Sequence, residues 1–148
     1  MKKVAFIGTG LMGFPMASNL LKAGIKLKVF NRSINKAEPL KEFGAEISNT
    51  LSSVVKDTDF TITMLTDDSA VEAIMSHPDF LNNLNSGSTV IDMSSIKPNT
   101  AIKYGNIFKS KDINYLDAPV SGGTIGAEEG SLAIMVGGEQ TVFDNAKS

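Results

Sequence analysis

The stretch that decides the fold is Val4-Ala5-Phe6-Ile7-Gly8-Thr9-Gly10-Leu11-Met12-Gly13. Its second part has the spacing G-x-G-x-x-G, which is a weak pattern when it stands alone. Here the pattern follows an apolar strand and opens an amphipathic helix predicted over residues 11–23, the context that it requires. The first glycine allows a tight turn, the second lets the backbone approach a pyrophosphate, and the third lets helix and strand pack closely. We predict a dinucleotide-binding turn here; a glycine-rich turn without a ligand is the alternative.

The rest of the chain alternates short apolar runs with amphipathic stretches. Strands are predicted at residues 4–7, 26–30, 60–65, 89–92, 114–117 and 132–136. Further helices are predicted at residues 35–43, 69–75, 98–109 and 139–146. This alternation indicates an α/β fold with right-handed crossovers and a doubly wound, mostly parallel sheet. A length of 148 residues predicts one domain, residues 1–148, which we expect to be incomplete because the chain stops inside its last helix.

Composition excludes several classes of function. A net charge of -2 supplies no electrostatic footprint for nucleic acid or anionic membranes. The absence of cysteine excludes disulfides, a thiolate nucleophile and sulfur-based zinc sites, and we predict no metal. The single histidine, His77, stands in the turn-like tripeptide His77-Pro78-Asp79 and is expected at the surface. The apolar run after Met1 is too short for a signal peptide or a membrane span, so a cytoplasmic location is expected.

The end of the second predicted strand bears on which dinucleotide is bound. Domains that bind NAD carry an acidic residue there, which accepts a hydrogen bond from the ribose 2′-hydroxyl. Here Phe30 is followed by Asn31, Arg32 and Ser33, with no carboxylate. Arg32 can bind a 2′-phosphate through charge-assisted bonds, with Asn31 and Ser33 as neutral partners. The residues favour NADP over NAD; the alternative is a surface arginine with Asn31 or Ser33 capping the next helix.

Two further strand ends carry polar residues, and ligands bind at strand ends in such sheets. Asp67 and Asp68 are most simply helix caps rather than catalytic groups. Ser94 and Ser95 either cap the helix that begins at Pro98, or Ser95 faces the ring of the cofactor. Both alternatives stay open on the residues alone.

The turn formed by Ser121, Gly122 and Gly123 follows the strand predicted at residues 114–117. Consecutive small residues expose backbone amides in a concavity that suits a carboxylate or another anion. The alternative is a plain turn, and composition favours neither.

Taken together, these segments resemble the β-hydroxyacid dehydrogenase family, which includes 3-hydroxyisobutyrate dehydrogenase, tartronate semialdehyde reductase and their 6-phosphogluconate dehydrogenase relatives. The resemblance covers essentially the whole chain, and its most specific part is the run from Asp117 to Gly123. The segments that carry it are Phe6 to Gly8, Gly10, Met12-Gly13, Pro15-Met16, Thr63 to Leu65, Ile91 to Ser95, Asp117 to Gly123, Gly126-Ala127, Gly130 to Leu132 and Ile134 to Gly138.

The resemblance implies a Rossmann-type cofactor domain and a set of site residues. Cofactor contacts are implied for Gly8, Thr9, Gly10, Leu11, Met12, Gly13, Asn31, Arg32, Ser33, Met64, Leu65 and Ser95. Within that set, residues 8–13 would hold the pyrophosphate, residues 31–33 the 2′-phosphate, and Ser95 would lie near the nicotinamide. Ser121, Gly122 and Gly123 would hold the carboxylate of a small substrate.

The same resemblance implies reversible hydride transfer between NADP and a small hydroxy acid or semialdehyde acid. In the family the catalytic lysine, an all-helical domain and the homodimer contacts lie beyond the point where this chain stops, at Ser148. No catalytic residue is therefore assigned here, and the isolated chain is expected to be inactive. The alternatives are a non-catalytic dinucleotide-binding or sensor module, a fragment or gene remnant, and an imine reductase, which shares the cofactor domain.

Overall fold

The computed structural model describes residues 2–147, so Met1 and Ser148, the two ends of the predicted domain, lie outside the described residues. The strands are β1 (Val4–Ile7), β2 (Leu27–Phe30), β3 (Glu46–Ile47), β4 (Phe60–Thr63), β5 (Thr89–Asp92), β6 (Asn114–Asp117), β7 (Val120–Ser121) and β8 (Ala133–Ile134). The helices are α1 (Gly13–Lys22), α2 (Leu51–Val55), α3 (Asp68–Met75), α4 (Pro78–Leu81), α5 (Pro98–Ser110), α6 (Gly123–Glu129) and α7 (Gln140–Lys147). Two 3₁₀ helices, Ile34–Lys36 and Glu38–Phe43, follow β2.

Six strands form one parallel sheet in the order β3-β2-β1-β4-β5-β6, which confirms the predicted α/β fold. The order reverses next to β1, the first strand. In register, Ile7 pairs with Phe30 on one side and with Thr63 on the other. Because the strands are parallel, their carboxyl ends meet at one edge of the sheet, and the order reversal opens a crevice there.

Each face of the sheet buries its own apolar cluster. One face packs Phe6 and Val29 against Ala17 of α1, and all three side chains are fully buried. The other face packs Val90 against Tyr104 and Phe108, which α5 presents on one side of the helix. Strands that are covered on both faces read as nearly continuous apolar runs, and this is why their positions could be predicted.

The region after β2 differs from the prediction of a helix at residues 35–43. Two 3₁₀ helices form instead, and Pro39 stands near the start of the second. Proline has no amide donor and clashes with the carbonyl four residues earlier, so an α-helix cannot run through this position. Gly44 ends the segment with a left-handed conformation.

Beyond β6 the chain leaves the parallel sheet. β7 pairs with β8 in an antiparallel ribbon, so the strand predicted at residues 132–136 is reduced to Ala133–Ile134. α6 lies against α1, where the Asn19 side-chain amide donates to the Ala127 carbonyl at 2.6 Å. No helix within residues 2–147 is both long and apolar enough to cross a bilayer.

Candidate functional site

The glycine turn lies at the carboxyl edge of the sheet, between β1 and α1. The Gly8 amide donates to the Phe30 carbonyl at 3.0 Å, and the Thr9 amide donates to Oδ1 of Asn31 at 2.9 Å. These bonds hold the turn against the end of β2. Within the described residues, the amides of Leu11 and Met12 have no hydrogen-bond acceptor, and the first turn of α1 contains no acidic residue. The turn therefore offers free donors and the positive end of a helix to an anion.

The three glycines of this turn differ in what surrounds them. Gly8 has a φ of +103°, and a Cβ there would run into the Met64 carbonyl. A Cβ on Gly13 would run into the Gly8 carbonyl oxygen. No atom lies within 4 Å of the place where a Cβ on Gly10 would stand. The fold therefore requires Gly8 and Gly13, whereas Gly10 leaves open space above the turn that a ligand can fill.

A cleft of about 540 Å³ extends from the turn across the ends of β1, β2 and β4. It is lined by Ile7, Gly8, Gly10, Leu11, Met12, Gly13, Phe30, Asn31, Arg32, Ser33, Lys36, Met64, Leu65, Thr66, Ala70, Ala73, Ile74 and Ser95. No aspartate or glutamate is among these residues. Arg32 and Lys36 supply its positive charge, and neither forms an ion pair with another described residue. The cleft therefore suits an anionic ligand with apolar parts.

All but one of the predicted cofactor residues line this cleft. The exception is Thr9, whose side chain is buried, with no hydrogen-bond partner for its hydroxyl within the described residues. Asn31 lines the cleft, but its side chain already bonds within the protein. It accepts from the Thr9 amide, and its Nδ2 donates to the Ser33 carbonyl at 2.8 Å. Asn31 therefore shapes the turn, and the Arg32 guanidinium is the more available group.

Lys36 is a cleft residue that the sequence reasoning missed. It ends the 3₁₀ helix Ile34–Lys36, directly after the Asn31-Arg32-Ser33 segment. Both cations line the cleft, although Ser33 between them is extended and the helix that follows is 3₁₀. A second cation so soon after Arg32 was visible in the sequence and could have identified the residue.

The two aspartates after β4 both accept hydrogen bonds from helix starts, although from different helices. Asp67 accepts from the Ala70 amide at 2.8 Å and caps α3, as predicted. Asp68 instead accepts from the Thr100 hydroxyl at 2.7 Å and the Lys97 amide at 3.1 Å, at the start of α5. These two bonds hold the pKa of Asp68 below its ordinary value. Neither aspartate lines the cleft.

The first alternative for Ser94 and Ser95, capping of α5, is wrong, because neither hydroxyl bonds to the start of that helix within the described residues; Asp68 bonds there instead, to the Lys97 amide and the Thr100 hydroxyl. Ser94 is fully buried, and its hydroxyl accepts from the Leu65 amide at 2.8 Å. Ser95 is exposed and lines the cleft, as the other alternative required.

The side chain of His77 caps α4 by accepting from the Asp79 amide. No cluster of three possible metal ligands occurs within the described residues.

The turn of Ser121, Gly122 and Gly123 is separate from this cleft. It joins β7 to α6, and all three residues are exposed. Gly122 has a φ of +135° and Gly123 a φ of +61°, so the backbone bends sharply there. A second depression, of about 510 Å³, lies between the sheet, α1 and α7, and its lining is almost wholly apolar. With so few polar groups, that second depression does not suit a phosphate.

A parallel sheet with a reversed strand order, a glycine turn at the reversal and a cationic cleft beside it define a dinucleotide-binding domain. The sequence model of the family described as "NAD binding domain of 6-phosphogluconate dehydrogenase" matches residues 3–148. The chain belongs to this family and is the NAD(P)-binding domain of a β-hydroxyacid dehydrogenase-type protein.

Individual relatives show the same relationship and its extent. The 2-hydroxy-3-oxopropionate reductase of Escherichia coli is 40% identical over 98% of this chain and 50% of its own length. The NAD-dependent L-serine dehydrogenase of Pseudomonas aeruginosa is 39% identical over 99% of this chain and 50% of its own. The structure of Psf3 in complex with NADP⁺ and 2-OPP superposes with a TM-score of 0.93 at 31% identity, over 97% of this chain and 51% of that one. The chain thus spans about half the length of these relatives, and the family uses both NAD and NADP.

Proposed function

We propose that the cleft binds NADP, in preference to NAD, as the cofactor half of a hydroxyacid dehydrogenase or reductase. The observation that carries the proposal is the charge of the cleft: Arg32 and Lys36 line it and no acidic side chain does. A carboxylate at the end of β2 would accept from a ribose 2′-hydroxyl and repel a 2′-phosphate. Two unpaired cations favour the phosphate, and the planar guanidinium of Arg32 can bind it through two bonds.

The remaining lining residues fit the other parts of a dinucleotide. The amides of Leu11 and Met12 would bond to the pyrophosphate, and the space above Gly10 would admit it. Met64 and Leu65 offer apolar surface, and Ser95 offers a hydroxyl further along the cleft. When bound, the cofactor would supply hydride transfer, while this chain's residues bind it, orient it and limit its access to water.

For the substrate, we propose a small hydroxy acid or semialdehyde acid whose carboxylate is held by Ser121, Gly122 and Gly123. The support is the resemblance of this segment to the family and the exposed amides of a sharply bent turn. Within the described residues Lys36 is the one lysine that lines the cleft, and it accompanies Arg32 rather than Ser95. The proton donor would then lie outside this chain, in the half that relatives of twice its length contain, and a homodimer would belong to that longer protein.

Parallel calorimetric titrations of the chain with NADPH and NADH test the cofactor proposal. We expect NADPH to bind at least about tenfold more tightly, because a charge-assisted bond contributes roughly 1.5–3 kcal/mol. Raising the salt concentration should reduce the difference, since exposed charges are screened. Equal affinities for the two cofactors at low salt would contradict the proposal.

A further inference from the structure

A pair of aspartates lies inside the sheet, beside the cofactor cleft. Asp92 ends β5 and Asp117 ends β6, and the two are partners in the parallel register. Side chains of register partners leave the sheet on the same face, so the two carboxyl groups are neighbours. Asp92 is fully buried and Asp117 is partly buried. Oδ2 of Asp92 and Oδ1 of Asp117 are buried and have no hydrogen-bond partner within the described residues.

The other oxygen of Asp92 is the centre of a chain of hydrogen bonds. Oδ1 accepts from the Thr63 hydroxyl at 2.9 Å and from the Ser94 amide at 3.1 Å. The Ser94 hydroxyl in turn accepts from the Leu65 amide at 2.8 Å. Asp92 therefore ties the end of β4 to the loop after β5. Leu65 and Ser95, which these two segments carry, both line the cleft.

The surroundings of Asp92 disfavour a negative charge. β4 presents the neutral Thr63, while β6 presents Asp117 and Tyr115. The buried titratable side chain of α5 is Tyr104. None of the ion pairs within the described residues includes Asp92 or Asp117.

The direction of each pKa agrees with this picture. Burial raises the pKa of Asp92 above its ordinary value of 3.8, the hydrogen bonds from Ser94 and Thr63 partly oppose this rise, and the Asp117 carboxylate adds to it. Burial raises the pKa of Asp117 as well. Burial and the two carboxylates together raise the pKa of Tyr115, so its phenol stays neutral. A buried carboxyl group next to a partly buried one, with no ion pair to either, favours keeping a proton on the pair, because ionising both places like charges close together where solvation is poor.

We propose that Asp92 is a positioning residue of the cofactor cleft and acts as a neutral carboxylic acid. Oδ1 accepts from Thr63 and Ser94, while a proton on Oδ2 points toward the Asp117 carboxyl. In this state one group joins the ends of β4, β5 and β6, from which the segments of Leu65, Ser95 and Ser121 continue. The proposal rests on the proposed function only in identifying the cleft as the cofactor site.

The substitution Asp92→Asn distinguishes a neutral carboxylic acid from an ionised carboxylate, because asparagine resembles only the neutral acid. Its amide oxygen can accept from Thr63 and Ser94, and its amide N–H can replace the acid proton. We expect Asp92→Asn to keep the NADPH affinity within about threefold, and Asp92→Ala to lower it by about tenfold, as for two lost hydrogen bonds. Asp68→Asn is the matched control, because Asp68 also anchors the 93–97 loop, but with a lowered pKa.

Stability against pH provides a readout that needs no cofactor. A raised pKa means that the folded chain holds a proton that the unfolded chain loses, so stability falls as pH rises from about 3.8 through the raised pKa. Asp92→Asn should remove this part of the fall, so its urea midpoint should match the parent's at low pH and exceed it at neutral pH. Asp68→Asn should lower that midpoint at neutral pH, because it removes a carboxylate whose charged form is stabilised.

Carbon-13 spectra of the cofactor-free chain, labelled at aspartate carboxyl groups, report the protonation of Asp92 directly. The resonance that disappears in Asp92→Asn should titrate above 3.8. This result is independent of whether NADPH binds, so it separates the proposal from the proposed function. A resonance that titrates at or below the ordinary value, or an Asp92→Asn variant as impaired as Asp92→Ala, would overturn the proposal. If Asp92→Ala fails to fold, the pH dependence of stability and the carbon-13 titration still test the proposal, because both use only the parent chain and Asp92→Asn.

Discussion

Two glycine-containing turns follow strands of this chain, one in the parallel sheet and one in the antiparallel ribbon, and they differ in how the protein surrounds them. The first, residues 8–13, follows the central strand β1 and is bonded to the end of β2 through Gly8 and Thr9. The second, residues 121–123, follows β7 and is exposed throughout. The side chains of Ile125 and Met135 near it are also exposed, at 68% and 64%.

The difference shows which half of a reaction this chain can assemble by itself. The first turn is held against the ends of β2 and β4, and it opens onto the cleft. The second is exposed, and a small substrate requires enclosure as well as an anion-binding turn. We therefore expect the cofactor side to work in the isolated chain and the substrate side to remain incomplete.

The largest effect expected from this difference is in catalysis. The chain, saturated with NADPH and mixed with glyoxylate or a short semialdehyde acid, should show no turnover in nicotinamide absorbance. A missing general acid alone costs about 10²- to 10⁴-fold, and missing enclosure and orientation add to it. The 2-hydroxy-3-oxopropionate reductase of Escherichia coli, about twice as long, is the positive control. Turnover near about 1 s⁻¹, within the ordinary range of enzymes, would mean that the second turn is already a complete site.

The next effect separates two glycines within the first turn. Gly13→Ala should lower the free energy of unfolding by about 3 kcal/mol or more, because its Cβ meets backbone that cannot move aside. Gly10→Ala should stay within about 1 kcal/mol, since open space surrounds that position. Urea denaturation of both variants measures the difference. Equal losses of stability would mean that the fold requires all the glycines of this turn, and that ligand binding is not needed to account for a glycine at position 10.

A larger side chain at Gly10 should remove binding while sparing the fold. Gly10→Val fills the space above the turn, and about 3 kcal/mol of overpacking corresponds to roughly a hundredfold loss of affinity for both NADPH and NADH. Ser121→Ala, in the second turn, should leave both affinities unchanged. Calorimetry measures the affinities, and far-ultraviolet circular dichroism checks that each variant is folded. Normal NADPH binding by Gly10→Val would place the phosphates elsewhere.

The smallest of these effects concerns the choice between cofactors. Arg32→Ala should weaken NADPH binding by roughly ten- to a hundredfold and leave NADH nearly unchanged, because only the 2′-phosphate meets the guanidinium. Lys36→Ala should act in the same direction but less strongly, since an ammonium offers no planar pair of donors. Lys26→Ala, an exposed lysine before β2, is the control for general charge. Equal losses for both cofactors would mean that Arg32 contacts a part that they share.

Most of the sheet could be predicted from sequence because its strands are covered on both faces. Residues 4–7, 89–92 and 114–117 were predicted with the observed bounds, and the starts of α1 and α5 lie close to their predicted places. The two-residue strand β3 and the five-residue helix α2 were missed. α2 is made of serine, valine and leucine, mostly weak helix formers, and owes its start to a cap from Thr50. Such elements depend on packing that local sequence does not encode.

Of the site, the local parts could be predicted and the long-range parts could not. The glycine turn and Arg32 follow from spacing along one strand-turn-helix unit. The hydrogen bond from the Lys97 amide to Asp68 joins residues 29 positions apart, as does the bond between Leu65 and Ser94. Contacts of this kind follow from the strand order, which no local pattern contains. Lys36 is a local part of the site that was missed, although its nearness to Arg32 could be seen in the sequence.

Mapping backbone amide shifts of the nitrogen-15-labelled chain during an NADPH titration tests the central claim most directly. We predict that shifts concentrate at residues 8–13, at residues 32–36 and at Leu65 and Ser95, the segments that line the cleft. Adding a short semialdehyde acid to the saturated chain should produce little further change at residues 121–123. Shifts centred on the apolar depression between the sheet, α1 and α7, with none at residues 8–13, would contradict the account.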